Sequence, residues 1–351
     1  MSERVLIYGA TGFVGSEIAR LAARQGLAPV LSGRSEEALR RLGEELGLEH
    51  RIARLDDPVV LDRALEGVGV LLNCAGPFRY TYRPLVAACL RAGAHYLDIT
   101  GEIDVFEGIA SFGDAAEERG LMLLPGAGFD VVPTDCLALH LRHRLPHATR
   151  LTIAIRPRGP AGAPPGTLRT AIEILPRGIL IRRDGRIIRV PTRAVTQVED
   201  FGEGPVPAVR FTWGDIFTAY YSTGIPNIET YLVIPSFARR LLPLMGVVGP
   251  VLRAPGVSSF LKARVSGGST PEERARSSTH IVARVEDDSG NRAAARLHGP
   301  EAGVVWTAAA ALTAVRVTLA GNAVPGFQTP GRAFGPDFGL DIAGVTREDL
   351  D

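Results

Sequence analysis

The feature that most constrains this chain is a glycine-rich corner, Gly9-Ala10-Thr11-Gly12-Phe13-Val14-Gly15, set between an apolar strand pattern at Val5–Tyr8 and an amphipathic helical pattern at Phe13–Arg24. Gly9 ends the strand where the chain must turn tightly, Gly12 leaves the backbone bare, and Gly15 lets the helix lie close on the strand layer. The first turn of a helix presents N–H groups without intrahelical acceptors, and its dipole favours negative charge. Gly9, Thr11, Gly12, Phe13, Val14 and Gly15 therefore read as a pyrophosphate cradle. The spacing is G-x-x-G-x-x-G, one residue longer than the standard dinucleotide fingerprint. A turn without a ligand is the plain alternative, and the strand-to-helix context favours the nucleotide.

The following residues repeat the strand–helix alternation. Strand patterns at Ala28–Leu31, Arg51–Ala53, Val68–Cys74, His95–Ile99 and Leu121–Leu124 alternate with helical patterns at Glu36–Leu46, Val59–Leu65, Tyr82–Arg91 and Asp114–Glu118. The strands are nearly continuous apolar runs, as in parallel sheets covered on both faces. Past 126 the texture changes. A helix is expected at Asp135–Leu145, strands at Leu151–Arg156, Arg186–Pro191, Val209–Thr212, Thr279–Glu286 and Asn291–His298, and a helix at Glu301–Ala320. The last two strands face each other across a turn at Asp287–Gly290. The expected fold is α/β: a Rossmann doubly wound parallel sheet over 1–125, an α+β substrate or dimerisation domain on a largely antiparallel sheet over 126–324, and a segment 325–351 returning to the first domain.

Composition bounds the partners. With 351 residues, 46% hydrophobic, 22% charged and a net charge of +1, nothing global draws the chain to nucleic acid. No signal-peptide pattern precedes the first strand, and Pro243 and Pro250 break the apolar stretch Leu241–Leu252, short of the ~20 residues that span a bilayer. A cytoplasmic protein without a transmembrane segment is expected, its three cysteines (Cys74, Cys89, Cys136) reduced and buried. The apolar, arginine-dotted segment 234–265 reads as domain core or homodimer contact, with a peripheral membrane surface or lipid-like substrate as alternatives. His140, His143 and His147 share a helix face, but without supporting ligands they read as solvated, not as a metal site. Lys262 is the sole lysine and has Ser258 four positions earlier, which disfavours a lysine Schiff base or a Tyr-x-x-x-Lys pair.

The end of the second strand selects the cofactor. An NAD site places an acid there for the ribose hydroxyls. This chain reads Ser32-Gly33-Arg34-Ser35, with no acid until Glu36. Arg34 can pair bidentately with a 2′-phosphate and Ser35 can donate to it, so NADP(H) is expected over NAD(H). Leu55-Asp56-Asp57 could meet the adenine edge, or the acidic pair could cap the next helix. Cys74, Ala75, Gly76 and Pro77 are small and close the fourth strand, where backbone can approach a nicotinamide ribose.

These segments, together with His95-Tyr96-Leu97-Asp98-Ile99-Thr100-Gly101-Glu102 and Gly128-Phe129-Asp130-Val131-Val132-Pro133-Thr134-Asp135, resemble the saccharopine dehydrogenase-like NADP-binding oxidoreductases. The likeness is dense over the first 140 residues, and nearer to uncharacterised bacterial members and trans-acting enoyl reductases than to true saccharopine reductases. It implies a Rossmann domain, a second α+β domain for a small-molecule substrate, and hydride transfer to or from a C=N, C=C or C–OH group. A non-catalytic NADP(H)-binding sensor or scaffold is the alternative.

Hydride transfer needs geometry and at most one proton donor or acceptor. Tyr80, Tyr82, Asp98, Thr100, Glu102, Asp130 and Asp135 lie near the expected C-terminal sheet edge. Among these, Tyr80 and Tyr82 on a Phe78–Tyr82 loop are the preferred proton carriers. Glu102 would need its pKa raised by burial, and helix capping or bracing competes with that role for each carboxylate.

Overall fold

The computed structural model describes residues 4–174, 178–191, 195–241, 255–265 and 267–350. The chain forms two compact units: Met1–Val132 with Gly303–Ala343, and Pro133–Ala302 with Gly344–Asp351.

The first unit holds a seven-stranded parallel sheet. Its first six strands are β1 (Val5–Tyr8), β2 (Val30–Gly33), β3 (His50–Ile52), β4 (Val70–Asn73), β5 (His95–Asp98) and β6 (Met122–Leu124). Between them run α1 (Phe13–Arg24), α2 (Glu36–Leu46), α3 (Pro58–Ala64), α4 (Phe78–Ala92), α5 (Ile103–Ala110) and α6 (Gly113–Glu117). Across the sheet the order is β3-β2-β1-β4-β5-β6, and Gly326–Phe327 pairs in parallel beyond β6. The chain reverses direction across the sheet between β1 and β4, where open α/β sheets bind ligands. Val5, Leu6, Ile7, Val70, Leu71 and Leu72 are all buried, as double coverage requires.

The Ala-rich helix Thr307–Leu319 corrects the expected boundaries. It belongs to the first unit, where it packs on α1 and on the β4–β5 face of the sheet and buries Ala308, Ala310, Ala311, Ala314 and Val315. Small side chains allow this close approach, and nothing local distinguishes the stretch from a helix of the second domain. Ala302–Leu319 is also the stretch, among the described residues, that is long and apolar enough by composition to cross a bilayer; in the fold it is a core helix. The C-terminal segment splits likewise. Residues through 343 stay with the first unit, and Thr346–Leu350 adds an antiparallel strand to the second unit's sheet.

Among the described residues that second sheet has nine strands, mostly antiparallel. Arg150–Arg158 lies at its centre, between Asn227–Leu232 in parallel and Ser278–Glu286 antiparallel. Ser278–Glu286 and Arg292–Pro300 form the expected hairpin, and Asp287 accepts from the Ser289 and Asn291 backbone N–H groups in its turn. The strands Ile179–Arg183, Thr196–Asp200, Asn227–Leu232 and Thr346–Leu350 fall outside the stretches expected from the sequence; they are short, and polar or charged residues interrupt their apolar pattern. His140 is no solvated residue: its Nε2 lies 2.7 Å from Asp349 Oδ1. Residues 242–254 of the apolar stretch lie outside the described residues.

Candidate cofactor site

The whole candidate site lies in the first unit, along the C-terminal edge of its sheet. At the corner after β1, Gly9 has φ +81° and its N–H donates to Ser32 O at 2.8 Å. A Cβ on Gly9 would stand 2.8 Å from the Ala75 backbone nitrogen, and one on Gly15 would stand 2.2 Å from Gly9 O. Backbone from β1, α1 and the β4 loop thus converges at one point, with room for no side chain. Gly12 caps α1 in an extended conformation without a side-chain acceptor, and no acid occupies the helix's first turn. Thr11, Gly12 and Phe13 are exposed. The result is a bare, positively polarised helix end, suited to phosphate.

One strand over, Arg34 and Ser35 are exposed after β2, and the Ser35 hydroxyl makes no capping bond to α2. Arg34 lines a cavity of about 360 Å³ with Tyr8, Arg54, Leu55 and Asp56. Tyr8 donates its hydroxyl to Ala53 O at 3.2 Å, and burial raises its pKa while Arg34 opposes that rise. Asp56 does not cap α3; Asp57 does, accepting from Val59 and Val60 N–H at 3.1 Å each. Asp56 instead receives both Nε and Nη2 of Arg54 at 3.3 Å. The Arg54 hydrogen bonds hold its carboxyl below the usual range. Arg54 was missed in the sequence. The available signal was a second arginine two residues past β3, at the same end of the sheet as Arg34.

Past β4 the edge changes character. Asn73 is fully buried; its amide donates to Thr81 Oγ1 at 3.0 Å and Tyr96 Oη at 3.1 Å, and its carbonyl accepts from Ala75 N at 2.9 Å. Tyr96 donates to Asp98 Oδ2 at 2.8 Å, while Asp98 Oδ1 accepts from Thr100 N and Gly126 N at 2.9 and 3.0 Å. Burial pushes the Asp98 carboxyl up to about 6 against those bonds. The network fixes three loops to one another: Cys74–Pro77, Thr100–Glu102 and Gly126–Asp130. Cys74 is a free thiol raised by burial, and the Gly76–Pro77 peptide is cis.

Residues 5–124 match the model of the saccharopine dehydrogenase NADP-binding domain. In this stretch the chain is similar to the NADP-binding domain of saccharopine dehydrogenases. Saccharopine dehydrogenase-like oxidoreductase from Homo sapiens is 28% identical over 161 residues, covering 40% of this chain and 38% of that protein. Trans-acting enoyl reductase from Mycobacterium ulcerans is 34% identical over 148 residues, covering 40% of this chain and 35% of that protein. The chain thus matches less than half the length of these relatives. In fold it is similar throughout to saccharopine dehydrogenase (L-Glu forming) from Saccharomyces cerevisiae, with TM-score 0.70, 12% identity and coverage of 99% of this chain and 100% of that one.

The residues of the NADP-binding domain fit the cofactor. The glycine corner and α1 N-terminus would hold the pyrophosphate, Arg34 and Ser35 with Arg54 would hold the 2′-phosphate, and the small residues Cys74–Pro77 would leave room for the nicotinamide ribose. Asp56 serves here as the counter-ion of Arg54.

The expected proton carriers are placed otherwise. Phe78–Tyr82 is the start of α4, which Pro77 caps in an extended conformation. Tyr80 is 65% exposed, with the Arg79 guanidinium over its ring. Tyr82 is buried, and its hydroxyl lies so close to the Gly108 backbone that a Cβ there would clash. Its role is α4–α5 packing, and Gly108 exists to admit it. Glu102 accepts from Phe78 N at 3.0 Å, a brace on the start of α4. Asp135 accepts from Ser222 Oγ within the second unit. Among the described residues, no group of three or more metal-ligating side chains is assembled.

Proposed function

We propose that the chain is an NADP(H)-dependent oxidoreductase of the saccharopine dehydrogenase-like type, transferring hydride to or from a C=N, C=C or C–OH group of a small molecule. The observation that carries this is the joining of two halves at one sheet edge: a phosphate end with two arginines, and a rigid, desolvated end built from the β4, β5 and β6 loops. A protein that only sensed the cofactor would need the first half alone. Two relatives' names support a reductive chemistry, one a saccharopine dehydrogenase-like oxidoreductase and the other a trans-acting enoyl reductase.

The test is NADPH oxidation, followed by absorbance, against a panel of imine, 2-oxo and enoyl compounds. Turnover of one class is expected, with NADPH used in preference to NADH. Tight NADPH binding without turnover of any class would favour the sensor. The free thiols support a reducing, cytoplasmic setting. A homodimer, and a membrane contact through exposed Phe237 and Phe260 within 234–265, complete the proposal; gel filtration and vesicle sedimentation address them.

A further inference from the structure

Two carboxyls at the β5–β6 edge stand in opposite circumstances. Asp98 is fully buried and every oxygen is hydrogen-bonded, so it locks loops together. Asp130 is half-buried, ends the Gly126–Asp130 loop, and makes no hydrogen bond or ion pair among the described residues. Its carboxyl lies against the Gly101 backbone, so close that a Cβ at 101 would stand 2.7 Å from Oδ2. The absence of a side chain at Gly101 therefore keeps open the place where this carboxyl sits.

The loop carrying Asp130 is rigid. Gly126 N donates to Asp98 Oδ1, Ala127 N donates to Asp98 O at 2.6 Å, and Phe129 N donates to Thr307 Oγ1 at 3.3 Å. The Phe129 ring meets Trp306 edge-on at 5.2 Å. An unpaired carboxyl held this firmly, with part of its surface open, is not a capping or bracing group. Structural carboxylates spend their oxygens on donors, as Asp98 and Glu102 do.

We propose that Asp130 is the proton-exchanging residue of this site, acting on the substrate atom that does not receive the hydride. The proposal rests on the oxidoreductase reading and names the proton carrier that reading lacks. The cofactor supplies hydride, with its electron pair, to one end of a C=N, C=O or C=C bond. The acid form of Asp130 gives its proton to the other end: the carboxyl O–H bond breaks, an N–H, O–H or C–H bond forms, and solvent reprotonates the carboxylate left behind. In the oxidising direction the carboxylate accepts that proton.

The ionisable neighbours do not compete for the role. Cys74 is a thiol that burial keeps neutral, Asp98 and Glu102 accept backbone N–H donors, and Asp135 on the following helix accepts from Ser222. Burial alone raises the Asp130 carboxyl to about 6, which suits a group that both gives and takes protons near neutrality.

A substrate-free measurement tests this. Calorimetry of NADP+ and of NADPH binding near pH 6, in buffers of different ionisation enthalpy, counts the protons released. The 2′-phosphate is common to both forms, so its contribution cancels. The oxidised nicotinamide is a cation and the reduced ring is neutral, so NADP+ alone drives Asp130 toward carboxylate. Wild type is expected to release about half a proton more with NADP+ than with NADPH. That difference should vanish in Asp130→Asn and persist in Asp130→Glu, while both variants retain the wild-type affinity for NADPH. Equal release for the two forms in wild type, or an unchanged difference in Asp130→Asn, would overturn the proposal and leave the cofactor assignment standing. Absence of binding by either form would bring down both.

Discussion

The C-terminal edge of the parallel sheet is built in two ways. Over β1–β3 it is open, made of bare backbone and the exposed Arg34 and Arg54, the latter paired with Asp56. Over β4–β6 it is dense, a buried network of Asn73, Thr81, Tyr96 and Asp98 that ties three loops together. The first end has the character of affinity, since charge-assisted bonds in a shallow cavity select an anion. The second end has the character of precision, since a network satisfied at every atom resists displacement. An enzyme moving a hydride needs both, and the contrast between them can be attacked at several points.

The largest expected effect is at the junction of the two ends. Gly9→Ala forces a side chain into a left-handed conformation and against the Ala75 backbone. It should cost about 2–4 kcal/mol of stability by denaturant unfolding and abolish NADPH binding. A stable variant with unchanged affinity would mean that the corner is an ordinary turn.

At the open end, Arg34→Glu should weaken NADPH binding by about 100-fold with little change for NADH. Arg54→Ala should weaken NADPH by a smaller factor. Equal losses for both cofactors would remove the 2′-phosphate from this cavity.

At the dense end the expected signature is pH. Asp98 titrates higher in the folded chain than its ordinary value near 3.8, at about 6. Its contribution is therefore fully present below pH ~4 and is lost as pH rises through about 6, by an amount of order 2–3 kcal/mol. Chemical denaturation between pH 4 and 8 should show stability falling across that window, and Asp130→Asn should flatten part of the slope. A flat wild-type profile would mean that Asp98 is not desolvated.

The smallest effect is expected from Tyr80→Phe, which removes an exposed hydroxyl and should shift stability by less than about 0.5 kcal/mol. NADPH affinity and turnover should be unchanged. A loss of turnover would return the proton role to this tyrosine and take it from Asp130.

The open end was legible in the chain because its chemistry is local. Gly9, Gly12, Gly15, Arg34 and Ser35 act within a few residues of a strand end, where spacing alone sets position. Strand–helix alternation likewise announced the parallel sheet, since each βαβ unit closes on its neighbour in sequence. Arg54 lay within reach of the same reasoning and was passed over in favour of the acids beside it.

What the tertiary structure alone decided are the relations between distant positions. Tyr82 and Gly108 share one space, which turned an expected proton carrier into a packing residue. Thr307–Leu319 covers the first unit's sheet although it follows the whole second unit in sequence, because small side chains fit any close interface and carry no address. Asp98 and Asp130 look alike as acids after strands. Only the fold supplies one of them with donors and, among the described residues, leaves the other with none, because hydrogen-bond supply depends on which backbone groups three separate loops present at one point in space.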